Sequence, residues 1–234
     1  MSDIILQVEK VTKNYGGLVA LNDVSLTVER GSITGMIGPN GSGKSTMFNI
    51  IAGMIKPTQG RVLVEGNDIT KASASKICSL GVARTFQISR LFAEMTVLEN
   101  LIAVARGRDD QAAIDLALEL MEFLEITPIA KKWGSELSYG QRKLVEIARA
   151  LMLQPKILLL DEPFAGINPR LQNRIVEHLR ALSAKGITVF FIDHEMRIVM
   201  NECDIVYVLA EGRLISQGDT ETVKNDARVL EAYF

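Results

Sequence analysis

Gly38-Pro39-Asn40-Gly41-Ser42-Gly43-Lys44-Ser45-Thr46 decides how the rest of the chain is read. It has the spacing of a phosphate loop: Gly, four residues, Gly-Lys, then Ser or Thr. An apolar run at 32–37 precedes it and a helical pattern at 46–54 follows, the strand–loop–helix context that such a loop requires. Each residue type answers a need of a polyphosphate. Gly38, Gly41 and Gly43 let the backbone curl so that successive N–H groups point inward at phosphate oxygens. The helix beginning near Lys44 offers unpaired N–H groups and the positive end of its dipole. Lys44 supplies a mobile cation for the β- and γ-phosphates. The Ser45 hydroxyl is placed to ligate Mg²⁺. Asn40, Ser42 and Thr46 complete the candidate contacts to a nucleotide.

Working outward, composition sets bounds. The 234 residues are 47% hydrophobic and 23% charged, enough for one large α/β domain or one domain with an inserted lobe. A net charge of −2 argues against a nucleic-acid binder that works by bulk positive charge, so no nucleic-acid partner is expected. The two cysteines, Cys78 and Cys203, have no metal-ligand spacing and predict reduced thiols rather than a disulfide framework. No apolar run approaches the ~20 residues needed to span a bilayer. The opening Met1-Ser2-Asp3-Ile4 lacks the pattern of a signal peptide. Any membrane role is therefore expected through a partner.

Residues 5–15 alternate apolar and polar, and 24–28 alternate again after the Gly16-Gly17 turn, predicting antiparallel strands at the start. A short strand is expected at 61–64. Residues 88–154 carry apolar positions at three- and four-residue spacing, notably at 97–105 and 112–124. This helical text interrupts an otherwise strand–helix alternation and predicts an inserted lobe. The expected division is a nucleotide-binding core at 1–87 and 155–234, with an antiparallel β subdomain, and a helical subdomain at 88–154. After Gln154-Pro155 come a fully apolar strand at 157–160, a helix at 169–184, a buried strand at 188–192, a short helix at 195–201, strands at 204–209 and 213–216, and helices at 221–224 and 227–234. The fold class is α/β: a phosphate-loop NTPase core of mixed sheet with flanking helices. Of the two histidines, His178 is expected on a helix surface.

The strand at 157–160 ends in Asp161-Glu162-Pro163, two carboxylates at a strand tip beside the phosphate loop. Asp161 is expected to hold the metal and Glu162 to accept a proton from, or orient, the water that attacks the γ-phosphate. Leu137-Ser138-Tyr139-Gly140-Gln141 precedes a helix at 142–153, with Ser138 a good N-cap and Gly140 permitting close approach.

The order of these motifs, from the phosphate loop through Gln87 and Leu-Ser-Tyr-Gly-Gln to the Asp161-Glu162 strand and His194, resembles the ATP-binding cassette (ABC) ATPase family. The resemblance runs from Tyr15 to about Gly218. It implies that two ATP molecules are sandwiched head to tail between two chains, so that Ser138, Gly140 and Gln141 serve the nucleotide of a second ABC ATPase subunit. It implies that Tyr15 stacks on adenine, that Gln87 touches Mg²⁺ and the attacking water, and that His194 contacts the γ-phosphate. Asn168 stands where the family usually has aspartate, and Tyr139 replaces the commoner second glycine of the signature. Neither removes a catalytic carboxylate, so hydrolysis is expected.

Several stretches are similar to the ATPase subunits of branched-chain amino-acid importers: Leu18–Ser25 in the text Leu-Val-Ala-Leu-Asn-Asp-Val-Ser, Ala83-Arg84-Thr85-Phe86-Gln87, Leu91-Phe92-Ala93-Glu94-Met95-Thr96-Val97-Leu98-Glu99-Asn100, Phe164-Ala165-Gly166-Ile167-Asn168-Pro169, and the tail Arg228-Val229-Leu230-Glu231-Ala232-Tyr233. The chain is short between Asn100 and Leu137, where that group often carries extra residues. The lipopolysaccharide-exporter ATPase shares the Phe-Ala-Gly loop and stands as the alternative. A soluble ABC ATPase acting on DNA or the ribosome fits poorly, lacking a long coiled-coil insertion or a second cassette. The resemblance implies transmembrane permease subunits as partners, docked around 88–98, a solute-binding protein in the full system, and a cytoplasmic location, peripheral on the cytoplasmic face of the cell membrane.

Overall fold

The computed structural model describes residues 3–85, 91–105 and 109–233. The alternating opening forms a long ribbon in which β1 (Ile4–Tyr15) and β2 (Leu18–Glu29) run antiparallel around Gly16-Gly17. β3 (Ile33–Ile37) leads through the loop at 38–43 into α1 (Lys44–Ile51). Next come β4 (Gln59–Val64), β5 (Asn67–Asp68), α2 (Ala74–Ser79) and β6 (Val82–Arg84). A helical stretch follows: α3 (Val97–Ile102), α4 (Asp110–Phe123) and α5 (Tyr139–Leu151). The remainder alternates: β7 (Ile157–Asp161), α6 (Pro169–Ala184), β8 (Thr188–Ile192), α7 (Met196–Glu202), β9 (Ile205–Ala210) and β10 (Arg213–Gly218), closing with α8 (Thr220–Lys224) and α9 (Ala227–Tyr233).

The described strands form two sheets. One is antiparallel, ordered β2-β1-β4-β5, and the other is ordered β10-β9-β3-β8-β7-β6. In the second, β3, β6, β7, β8 and β9 run parallel and β10 is antiparallel to β9. Parallel strands covered on both faces send alternate residues to opposite sides. Leu158, Leu160, Val189, Phe191, Val206 and Val208 enter one core with α4, α5 and α6. Ile157, Leu159, Phe190, Ile192, Tyr207 and Leu209 enter the other, against α1 and the antiparallel sheet. This double burial is why the strands read as unbroken apolar runs. Phe48 of α1 meets Phe190 edge-on at 4.9 Å between ring centres, which fixes the helix after the loop to the sheet. Burying each such ring is worth about 1.5–3 kcal/mol.

α1 begins at Lys44, as expected, with Gly43 as its left-handed N-cap. Two expectations change. α5 begins at Tyr139 rather than at 142, so the Ser-Tyr-Gly-Gln text lies at the helix start itself. His178 is not on a surface. It is 9% exposed, with its ring 5.2 Å from that of Phe123 on α4. Ile175, His178, Leu179 and Leu182 recur at helical spacing on α6, which packs on β8 and β3, with Phe123 at the end of α4 against the histidine. β6 and α2 had no sequence signal, being too short to show a period.

Candidate nucleotide site

The site is built where β3 ends. All five β3 residues are buried, and the chain must turn away at once after Ile37. Gly38 has φ +151°, and a Cβ there would lie 2.0 Å from the Leu209 carbonyl oxygen, so only glycine fits. Gly43 has φ +104°, and a Cβ would strike the Ala20 carbonyl oxygen at 2.6 Å. The loop is pinned at its centre: Ser42 N–H donates to Pro39 O at 3.2 Å, and Gly212 N–H donates to Ser42 O at 3.1 Å.

Lys44 folds over this loop. Its Nζ donates to Gly38 O at 2.8 Å and to Pro39 O at 2.9 Å. Burial pushes its ammonium below the ordinary lysine value, while the Glu162 and Asp161 carboxylates pull it back up. A groove of about 400 Å³ gathers Tyr15, Asn40, Gly41, Gly43, Lys44, Ser45, Thr46 and Glu162. Tyr15 is 47% exposed, presenting a ring at the groove mouth. A roomier concavity of about 600 Å³, around Glu65, Cys78 and Lys156, is remote from these groups. Its Glu65 is already paired with Arg30 and Lys156.

The two carboxylates have different surroundings. Asp161 is 5% exposed. Its Oδ2 accepts from Arg84 Nη2 at 2.8 Å, and its N–H donates to Thr85 Oγ1 at 3.2 Å. Glu162 takes a left-handed conformation with φ +49°, and its N–H donates to Ile192 O at 2.8 Å. The His194 side chain is 60% exposed. Asp193, 1% exposed, sets the turn that presents it. The Asp193 carboxylate accepts from Phe164 N–H at 3.0 Å, His194 N–H at 2.8 Å and Glu195 N–H at 3.0 Å. Burial raises the Asp193 carboxyl above the usual range, and these N–H donors oppose the rise.

Ser138 and Gln141 cap α5 reciprocally. Gln141 N–H donates to Ser138 Oγ at 3.3 Å, and Ser138 N–H donates to Gln141 Oε1 at 3.0 Å. They line a separate concavity of about 420 Å³ with Asn168, Arg170 and Arg174. At Gly140 a Cβ would meet Leu171 Cδ2 at 2.4 Å, so α5 and α6 approach closely there. Gln87 lies outside the described residues. Among the described residues no group of three or more His, Cys, Asp or Glu side chains could hold a metal by itself.

Sequence reasoning missed Arg84, Asp193 and Asn100. Asn100 is 1% exposed and organises the segment before α3. It accepts from Phe92 N–H at 2.9 Å and donates to the carbonyls of Phe92, Met95 and Thr96 at 3.0–3.1 Å. That rigid segment leaves Phe92 49% exposed, with Arg149 stacked 5.1 Å from its ring centre. Burial pushes the Arg149 guanidinium below its ordinary value.

Most comparisons with known proteins point the same way. A family model described as ABC transporter matches residues 21–165; a second, described as AAA domain, putative AbiEii toxin, Type IV TA system, matches residues 134–199 alone. A protein of Methanocaldococcus jannaschii named "Probable branched-chain amino acid transport ATP-binding protein LivG" is 40% identical over 98% of this chain and 96% of its own length. The "High-affinity branched-chain amino acid transport ATP-binding protein BraF" of Pseudomonas aeruginosa is 38% identical over 100% of this chain and 98% of its own. The crystal structure of a nucleotide-free ATP-binding cassette from an ABC transporter superposes with a TM-score of 0.90 at 40% identity, covering 99% of both chains. A dimeric post-hydrolysis state of a cassette bound to ADP and Pi superposes with a TM-score of 0.84 at 28% identity, over 92% of this chain and 99% of that one.

Proposed function

The chain belongs to the ABC transporter family, and from that we propose that it is the ATP-hydrolysing subunit of a branched-chain amino-acid importer. As a member it is an ATPase whose turnover powers transport. The cargo assignment rests on the importer names of full-length relatives at 38–40% identity. The lipid-exporter alternative is not favoured.

The observation that carries the reading is a separation within one chain. Tyr15, Lys44, Ser45 and Glu162 face one groove, while Ser138 and Gln141 line another concavity. One chain thus presents two halves of a site that do not meet. A second subunit turned end for end would bring the Ser138 end of one chain over the Lys44 end of the other, as a family in which a dimeric cassette is known would lead one to expect.

In that arrangement Tyr15 stacks on adenine, and the N–H groups at 43–46 wrap the phosphates together with Lys44. Glu162 takes the proton of the attacking water, at a carboxylate whose backbone is already fixed. His194, held out by Asp193, reaches the γ-phosphate, and Ser138, Gly140 and Gln141 approach it from the partner. Gln87 reports nucleotide state to the helical subdomain at 88–154. Ser45 and Asp161 offer the hard oxygen donors that suit Mg²⁺, which takes only one or two protein ligands beside phosphates. When bound it would neutralise phosphate charge.

Phe92 and its neighbours dock a permease subunit, with a solute-binding protein completing the system. No helix among the described residues is long and apolar enough to cross a membrane. From the transport ATP-binding names of its relatives we place the chain as a peripheral subunit on the cytoplasmic face of the cell membrane. The test is Ser138→Arg, which intrudes on the partner's site. ATP binding should persist while hydrolysis falls about 10²-fold or more. Full activity in that variant overturns the two-chain site.

A further inference from the structure

α5 grips the end of β7 from one turn inside the helix. Lys143 is 5% exposed, unusual for lysine, because removing an ammonium from water is costly unless it is hydrogen bonded. Its partner is a carbonyl: Lys143 Nζ donates to Glu162 O at 3.0 Å. The same Nζ stands 5.6 Å from the ring centre of Tyr139, one turn earlier on α5. Tyr139 lies over Gly166, where a Cβ would stand 3.2 Å from the Tyr139 Cε1. Two side chains of one helix therefore hold residues 162 and 166.

What they hold is a strained bend. Glu162 has φ +49°, a conformation that a residue with a Cβ keeps only when its surroundings over-determine it. The Glu162 N–H is fixed by Ile192 O at 2.8 Å and the C=O by Lys143. The carboxylate is thus aimed by a residue anchored at both ends.

We propose that Lys143 is a positioning residue for hydrolysis, which ties the Glu162 carboxylate of its own chain to the helix whose first turn meets the neighbour's nucleotide. Engagement of Ser138 with one nucleotide then sets the aim of the glutamate at the other. This rests on the reading of Glu162 as the base.

The test is steady-state ATPase of the purified chain as Lys143→Met, Lys143→Arg, Glu162→Gln and the double variant Lys143→Met/Glu162→Gln. Lys143→Met should lower kcat about tenfold or more, the scale of a misplaced catalytic group, with KM for ATP changed less than about twofold. Lys143→Arg, still a donor, should recover most of that loss. The double variant should be no slower than Glu162→Gln alone, since the lysine acts only through the glutamate. Parent kcat in Lys143→Met overturns the proposal. So do losses that multiply in the double variant, or kcat, KM and melting temperature shifting together without rescue by arginine. Glu162→Gln running at the parent rate removes the base assignment itself, a failure that this single variant distinguishes. Should Lys143→Met not fold, Tyr139→Ala removes the half-exposed ring alone. It should lower kcat about threefold at constant KM, and an unchanged kcat overturns the link.

Discussion

Arg84 and Asp161 form a buried ion pair across neighbouring strands: Nη2 lies 2.8 Å from Oδ2, and the side chains are 7% and 6% exposed. Arg84 also donates to Asn49 Oδ1 at 2.7 Å, so β6, β7 and α1 are tied at the proposed metal ligand. Removing one partner of such a pair leaves a charge buried alone. Arg84→Met should therefore lose about 3–5 kcal/mol, read as a lower denaturant midpoint. Added Mg²⁺ and ATP should recover more stability in the variant than in the parent, because a bound cation takes over from the guanidinium. An unshifted midpoint would show that the pair contributes nothing.

Asn168 has a structural duty that explains its tolerance where the family usually has aspartate. It is the N-cap of α6, its Oδ1 accepting from Leu171 N–H at 3.0 Å, with Pro169 next in the first turn. Asn168→Ala should cost about 1 kcal/mol in thermal or denaturant unfolding. Asn168→Asp keeps the acceptor and adds charge at the favourable helix end, so it should be neutral or stabilising by about 0.3–1 kcal/mol. Equal loss in both variants would rule out capping as the role.

His178 makes stability depend on pH. Burial holds its imidazole below the ordinary value of 6.5. The unfolded chain therefore binds the proton more readily than the folded one. Its contribution is complete above that value and drains away as pH falls through the lowered folded value. Melting temperature should drop between about pH 7 and pH 5 in the parent and drop less steeply in His178→Leu. Identical slopes would remove histidine burial as a cause.

Phe92 is half-exposed on a segment tied down by Asn100, and it is where we propose that a permease docks. Phe92→Asp should abolish co-purification with the permease while leaving the melting temperature of the chain within about 2 °C of the parent, as befits a surface change. Undiminished co-purification would place the docking surface elsewhere.

The parts legible in the sequence were those with a period or a fixed spacing. The phosphate loop announced itself through its glycines: at Gly38 and Gly43 the structure leaves no room for a Cβ, and Gly41 has a positive φ. The strand ending in Asp161-Glu162 was legible because both its faces are covered, which forbids polar residues until its tip. The residues that stayed silent are single polar side chains whose meaning depends on a distant partner. Arg84 matters because β6 lies beside β7, Asn100 because the chain folds back over it, and Lys143 because α5 crosses the end of β7. No local pattern encodes such neighbours. His178 is different: its place in the stripe 175, 178, 179, 182 was readable, and its polar ring disguised it.

β3, which delivers the chain into the phosphate loop, is flanked by β8 and β9, strands supplied by residues 188–192 and 205–210. A nascent polypeptide still short of those residues carries the loop on a strand with neither neighbour to pair with. The seat of the phosphate loop is therefore completed from near the far end of the chain: a truncation before residue 188 removes both strands that support β3.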